Sequence, residues 1–279
     1  MKDRKATSSL ILLIIFLVLG IIMIFPIYYL FMGSLQQSAT LFGSTMKVVY
    51  DPEIMDFTNY IKIFSYKDGI FLHWYKNSVL ITVLFTALSL FFSSMVGYGL
   101  GAYEFKFKNT IFVMVMIVMM IPLEILMLPL FKLVVDMGII NSYKGVILPF
   151  MVAPVAIFFF RQYVSGISKE FMEAARIDGC TEYGIFYKII SPVMKPAYGA
   201  MTILLAMQQW NSFMWPLIVL RSNENFTLTI GIASLISPYS ANYEVMFTGS
   251  VLAILPILIL FFLNQRFFIS GLTTGGVKG

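Results

Sequence analysis

Charge is what this chain has least of: Lys and Arg number 19, Asp and Glu 14, and together they make only 12% of 279 residues. Soluble domains carry roughly a quarter charged residues, so a cytosolic enzyme fold is excluded. A single cysteine, Cys180, excludes a disulfide scaffold and leaves the redox compartment undecided. A single histidine, His73, excludes an H-E-x-x-H zinc site. No lysine directly follows a glycine, which removes the G-x-x-x-x-G-K phosphate loop and with it ATP hydrolysis of that kind. The glycines and prolines are scattered, so a collagen-like repeat is excluded, and the apolar content excludes disorder.

What is present is apolar: 59% of the residues are hydrophobic. Residues 10–32 form a nearly unbroken apolar run, long enough at about 1.5 Å per residue to cross a hydrocarbon core of about 30 Å. Lys2, Arg4 and Lys5 precede it, but the run exceeds a signal-peptide core and no small-x-small cleavage site follows, so it reads as a retained span. Similar runs over about 77–101, 110–130, 145–160, 197–220 and 248–268 predict an all-α polytopic membrane protein of six transmembrane helices. Placing the termini and alternate loops inside collects Lys2, Arg4, Lys5, Lys106, Lys108, Arg161, Lys169, Arg176, Lys188, Lys195, Arg266 and Lys278. The outer segments keep Lys47, Lys62, Lys67, Lys76, Lys132, Lys144 and Arg221, diluted over longer loops. By the positive-inside rule both termini and the 161–195 loop are expected to be cytoplasmic, and the net charge of +5 needs no nucleic acid to explain it.

Polar groups inside the spans are few. His73 and Trp74 precede the second span and read as an interfacial anchor. Glu124 lies in the third run between Pro122 and Pro129. Two readings stand: a carboxylate facing a cavity lined by freed carbonyls, or a kinked helix with an interfacial charge. A proton- or sodium-coupled carrier, expected to show more than one such group, is disfavoured. Gln208, Gln209, Trp210 and Asn211 fall near the middle of the fifth run, where lipid cannot solvate their amides. They bond either to neighbouring helices or to a polar solute, and Trp210 with Trp215 offers flat faces suited to a sugar ring.

The polar stretch from Ser168 to Pro192 is patterned as helix, turn and helix. Ser168 can cap the first helix, Gly179 can end it in the left-handed region, Thr181 can cap the second, and Pro192 can turn the chain back. Phe171, Ala174, Ala175 and Asp178, spaced at three and four, predict one apolar face whose alanines permit close approach by a partner.

Glu173-Ala174-Ala175, Gly179, Ile189 and Pro192 stand at the offsets of the EAA loop, and on them the chain resembles the permeases of binding-protein-dependent ABC importers, with Ser191 replacing the usual Leu. The resemblance implies the MetI-like fold, a single transmembrane domain over 1–279, and a coupling helix, here Glu173, Ala174, Ala175, Asp178, Gly179, Ile189 and Pro192, seated in a separate ATPase. The glycine-rich end, with Gly271, Thr273, Gly275, Gly276 and Lys278, and the Trp210-Asn211-Ser212-Phe213 region look like carbohydrate importers of the maltose-transporter type. In that group the tail reaches the ATPase dimer interface. Implied partners are a second permease, an ATPase dimer and an extracytoplasmic solute-binding protein, the whole in a bacterial cytoplasmic (inner) membrane. No cofactor is expected on this chain, ATP being bound by the partner. Gln208, Gln209, Trp210 and Asn211, with Glu124, are the candidates for the solute path. Rival readings are the same machinery for a polyamine or amino acid, and a self-sufficient facilitator.

Overall fold

The structure is a computed structural model and describes residues 2–37, 49–237 and 240–274. Its helices in chain order are α1 (Lys2–Ser34), α2 (Thr58–Ser65), α3 (Ile70–Ala102), α4 (Lys108–Met120), α5 (Leu123–Asp136), α6 (Tyr143–Ile147) and α7 (Pro154–Ser165). Then come α8 (Glu170–Ile177), α9 (Glu182–Ile185), a π-helical turn (Phe186–Ile190), α10 (Ser191–Val193), α11 (Lys195–Trp210), α12 (Met214–Val219), α13 (Leu228–Ala233) and α14 (Tyr243–Thr274). The described strands are one two-residue hairpin, with Ile236 opposite Ala241. Within α1, α3 and α14, the stretches Ser9–Ser34, Ile70–Ala102 and Tyr243–Leu263 are each long and apolar enough to cross a membrane. Three bent helix pairs bring the number of candidate crossings to as many as six. No side chain from Ser9 to Leu30 is buried, a surface that water would penalise and hydrocarbon does not.

The third apolar run is not one rod. Ile121, before Pro122, is extended at φ −80° and ψ 120°, as the proline ring requires of its predecessor. The helix therefore stops, and α5 leaves α4 at 101°. Pro129, by contrast, sits inside α5 without ending it. The fifth run also divides, because the helix ends at Asn211 (φ −87°, ψ 0°) and α12 begins only at Met214.

The chain forms two compact units. In the first, made of Met1–Leu72 and Gly231–Leu255, the end of α1 is clamped by polar side chains. Asn59 donates its amide to the carbonyls of Ser34 (3.0 Å) and Gln36 (2.9 Å), and the Ser34 and Tyr60 hydroxyls lie 2.7 Å apart. The two Asn59 bonds satisfy carbonyls left without partners where the ladder of α1 stops, and the hydroxyl pair ties the same end to α2.

The second unit, His73–Ile230 with Pro256–Gly279, is built around α7. Gly97 and Gly101, one turn apart on α3, let the two backbones meet: a Cβ on Gly97 would stand 2.6 Å from Cβ of Phe160, and one on Gly101 2.8 Å from a methyl of Val164. One turn earlier the buried Ser93 hydroxyl accepts the Ala153 N–H at 3.0 Å. Small residues at this spacing are how helices pack closely where lipid gives no hydrophobic drive. Phe158 stacks on Phe112 of α4 (centroids 5.7 Å apart), and Phe160 tilts against Tyr198 of α11 (5.0 Å). Trp74, expected at an interface, is instead buried within this unit, its indole N–H donating to the Asn223 carbonyl at 2.9 Å. Asn77 and Ser78 bind the same 223–228 stretch, with the Asn77 amide donating to the Glu224 and Phe226 carbonyls and the Ser78 hydroxyl accepting from the Leu228 N–H.

Replacing Gly97 by Ala should destabilise the chain by about 1–3 kcal/mol through overpacking. Gly99→Ala, where a Cβ meets nothing within 4 Å, should be neutral or stabilising. Thermal unfolding of both variants in detergent checks the contrast, and equal loss in the two would refute the close-approach account.

Candidate functional site

The polar stretch after α7 folds as its residues dictate. The Ser168 hydroxyl accepts the Glu170 N–H (3.3 Å), and Glu170 and Glu173 stand in the first turn of α8, where the helix dipole favours them. The helix ends in a Schellman motif: Gly179 takes φ +79°, its N–H bonds the Arg176 carbonyl, and the Cys180 N–H bonds the Ala175 carbonyl, each at 3.0 Å. Thr181 caps α9 by accepting the Gly184 N–H at 3.1 Å. The π turn, Phe186–Ile190, lies just upstream of Pro192, which has no N–H for the Lys188 carbonyl. The chain then bends by 77° into α11.

Burial divides the expected coupling residues. Glu173, Ala174, Asp178, Gly179 and Pro192 are exposed, Ile189 is half-buried, and Ala175 is buried. The single apolar face expected to carry both alanines is thus two faces, since adjacent helical residues point about 100° apart. Met172 and Ala175 turn into the core, while Phe171, Ala174 and Ile177 turn outward, Ile177 being 88% exposed. Phe171 and Ile177 thus stand exposed on the outward face of a short polar helix.

Three side chains that sequence reasoning missed hold this helix pair. Arg176 on α8 grips Glu182 on α9 through two nitrogens, at 2.7 and 3.2 Å. Tyr103, just past the end of α3, donates its phenol to the same carboxylate, and its hydroxyl lies 3.2 Å from that of Tyr98. The Arg176 guanidinium also lies 5.9 Å from the Tyr103 ring centre. Arg176, with Tyr103 second, holds the Glu182 carboxyl below its ordinary range, while burial and then Glu182 push the Tyr103 phenol up. The opposite charges at 176 and 182 flanking a turn glycine were a legible signal; Tyr103, remote in sequence, was not.

Of the expected path residues, Trp210 lines a cleft among the described residues. It lines a space of about 360 Å³ with Thr82, Thr86, Thr202, Ala206 and Pro256 among its neighbours, and its ring meets Tyr75 edge-on at 5.8 Å. Gln208 and Asn211 are exposed and Gln209 half-buried, none lining that cleft. The Asn211 amide donates to the Met207 carbonyl at 2.9 Å, closing the helix end. Glu124 is exposed in the first turn of α5 and does not line the cleft either. Gly271 and Thr273 fall in the last turns of α14, whereas Gly275, Gly276 and Lys278 lie outside the described residues. Among the described residues no three His, Cys, Asp or Glu side chains gather as a metal-binding group.

Apolar helices around a glycine-packed centre, with a polar helix-turn-helix between α7 and α11, define the fold of an ABC importer permease. A chain of the crystal structure of a bacterial ABC transporter involved in the import of the acidic polysaccharide alginate shares it, with a TM-score of 0.83 over 95% of this chain and 98% of that one, at 23% identity. Residues 89–272 match the family described as binding-protein-dependent transport system inner membrane component, and the chain belongs to that family. It is 53% identical over 268 residues to the arabinooligosaccharides transport system permease protein AraQ of Bacillus subtilis, covering 96% of this chain and 95% of that protein. It is 51% identical to the AraQ of Halalkalibacterium halodurans, covering 99% and 100%. It is 35% identical to the lactose transport system permease protein LacG of Rhizobium radiobacter, covering 91% of each.

The ion pair gives a pH prediction. Because the folded Glu182 pKa lies below the unfolded value near 4.3, its contribution is complete above that value and lost as pH falls through the folded pKa. Glu182→Gln should therefore lower the melting temperature at pH 7, and the gap to wild type should close as the pH drops below about 4. A gap that widened on acidification would contradict this sign.

Proposed function

We propose that this chain is one permease subunit of an ATP-driven importer of oligosaccharides, with arabinose-containing oligosaccharides as the solute. The observation that carries the reading is the identity above one half to two arabino-oligosaccharide permeases across nearly the whole length of each. In this reading residues 1–279 form one transmembrane domain that crosses the membrane six times, with both termini and the 161–195 loop in the cytoplasm; the distribution of basic residues supports that orientation. A second permease completes the path, a binding protein delivers solute on the outer face, and a separate ATPase dimer binds ATP. This subunit makes and breaks no bond and holds no cofactor.

The exposed face of α8, with Phe171, Ala174 and Ile177 flanked by Glu173 and Asp178, seats in the ATPase. Gly179, Ile189 and Pro192 set the direction of the second helix, and Ala175 anchors the first to the core. ATP-driven closure of the ATPase then moves the helix pair as a unit and shifts the spans between inward- and outward-facing states. The helix must contact the closed ATPase in only one transporter state, because a contact equal in both shifts no equilibrium. The tail, with Gly271, Thr273, Gly275, Gly276 and Lys278, extends the same interface. Trp210, with Gln208, Gln209 and Asn211, contributes to the solute path, and Glu124 is a weaker candidate for it.

Two experiments on the reconstituted complex test the reading. Gly179→Pro forces φ from +79° toward about −65°, and Glu173→Lys reverses a charge on the exposed face. Each should cut solute-stimulated ATP hydrolysis by about tenfold or more while membrane insertion persists; normal transport by both would refute the docking role. Combined Gln208→Leu and Asn211→Leu should lower uptake of labelled arabino-oligosaccharide more than assembly, and unchanged uptake would reassign the patch to helix packing.

A further inference from the structure

Nothing above requires the helix-turn-helix to be tied to the second apolar helix by a particular bond, yet one is present. The hydroxyls of Tyr98 on α3 and Tyr103 just beyond it lie 3.2 Å apart, and their rings meet edge-on with centroids 5.4 Å apart. The Tyr103 phenol donates to Glu182 at the start of α9, and the other side of that carboxylate takes the Arg176 guanidinium at the end of α8. Tyr98 in turn reaches α8 through the Met172 sulfur at 3.9 Å and packs on Phe186 of the π turn at 5.1 Å. One polar chain therefore joins the end of an apolar helix of 33 residues to both arms of the helix-turn-helix, and a ring contact adds the π turn that follows the second arm.

The chemistry of the joint is selective. A phenol and a guanidinium converging on one carboxylate make charge-assisted hydrogen bonds, stronger and more directional than apolar packing. Glu182 is the only carboxylate bonded to Tyr103 among the described contacts, so the Tyr103 hydroxyl is shared between α9, through Glu182, and α3, through Tyr98. The buried Met172, Ala175 and Ile185 hold α8 and α9 against the core, but these apolar contacts are non-directional and do not by themselves fix the orientation of the pair to α3. A bond of this kind resists sliding and passes a displacement of the helix pair on to α3.

From this geometry we infer that Tyr103 is a positioning residue of the transport cycle: through Glu182 and Arg176 it fastens the docking helices to the second apolar helix, so that their movement drives the solute path instead of being lost. The inference rests on the permease reading above. It assigns to Tyr103 no contact with solute or nucleotide.

The test uses the complete reconstituted transporter and reads solute molecules imported per ATP hydrolysed, a ratio independent of how much complex assembles. Tyr103→Phe keeps the ring and removes only the donor; Glu182→Ala removes the acceptor. Each should lower the ratio by about 2- to 30-fold, the range found for residues in coupling networks, with the amount of assembled complex unchanged. Phenol and carboxylate act as one unit, so the double variant should fall no further than the worse single one. A ratio at the wild-type value in Tyr103→Phe, or losses that multiply in the double variant, would overturn the inference while leaving the permease reading intact. A merely structural tyrosine would reduce assembly, or both rates together, at constant ratio, and that result too would overturn it. Wild-type complex showing no solute-stimulated hydrolysis at all would remove the permease reading and the inference together.

Discussion

Inside a bilayer no water is available to satisfy a backbone N–H or carbonyl, and that constraint organises this chain. Apolar runs become helices because only a helix satisfies its own backbone within one segment. Wherever the helix stops, something polar must take over the freed groups. At the end of α1 that substitute is the Asn59 amide, with the Thr248 hydroxyl on the same Ser34 carbonyl; at Asn211 it is the side-chain amide of the terminating residue itself. Polar side chains thus stand where these ladders stop, alongside a buried polar series from Asn77 to Ser94 within α3 itself.

The second unit shows how helices associate when hydrophobic burial offers no net gain over lipid. Its centre is held by shape: missing side chains at Gly97 and Gly101 bring α3 against α7, and the aromatic side chains of α7 then fill the space toward α4 and α11. A rigid centre of this kind suits a subunit that is moved from outside. In the proposed cycle, displacement of α8 and α9 would find a packed body to push against, with the Ile177 face exposed on the outward side of α8.

Much of the helix-turn-helix was legible residue by residue. Gly179 adopts the left-handed conformation and Thr181 accepts the capping bond, while Ser168, expected as a cap, lies one residue ahead of the Lys169 cap position and accepts from the Glu170 N–H there; these are local events decided within three or four residues. The proline at 122 was legible for the same reason, its ring constraining its neighbour. The same local logic did not separate Pro122, which breaks the chain, from Pro129, which a helix absorbs. It also placed both alanines of the EAA pattern on one face, whereas the core claims Ala175 and leaves Ala174 outside.

The sequence by itself determined the apolar runs, the residues that cap and stop the polar helices, and the spacing that relates the chain to its family. These follow from side-chain polarity and backbone sterics, which act over one or two turns. The tertiary structure alone decided that Trp74 is core rather than anchor, that Trp210 and not Gln208 or Asn211 lines the cleft, and that Tyr103 meets Glu182. Each depends on which helix lies opposite, and the partners stand up to 149 residues apart. Such meetings are set by how whole helices pack, a property that no local window of residues contains.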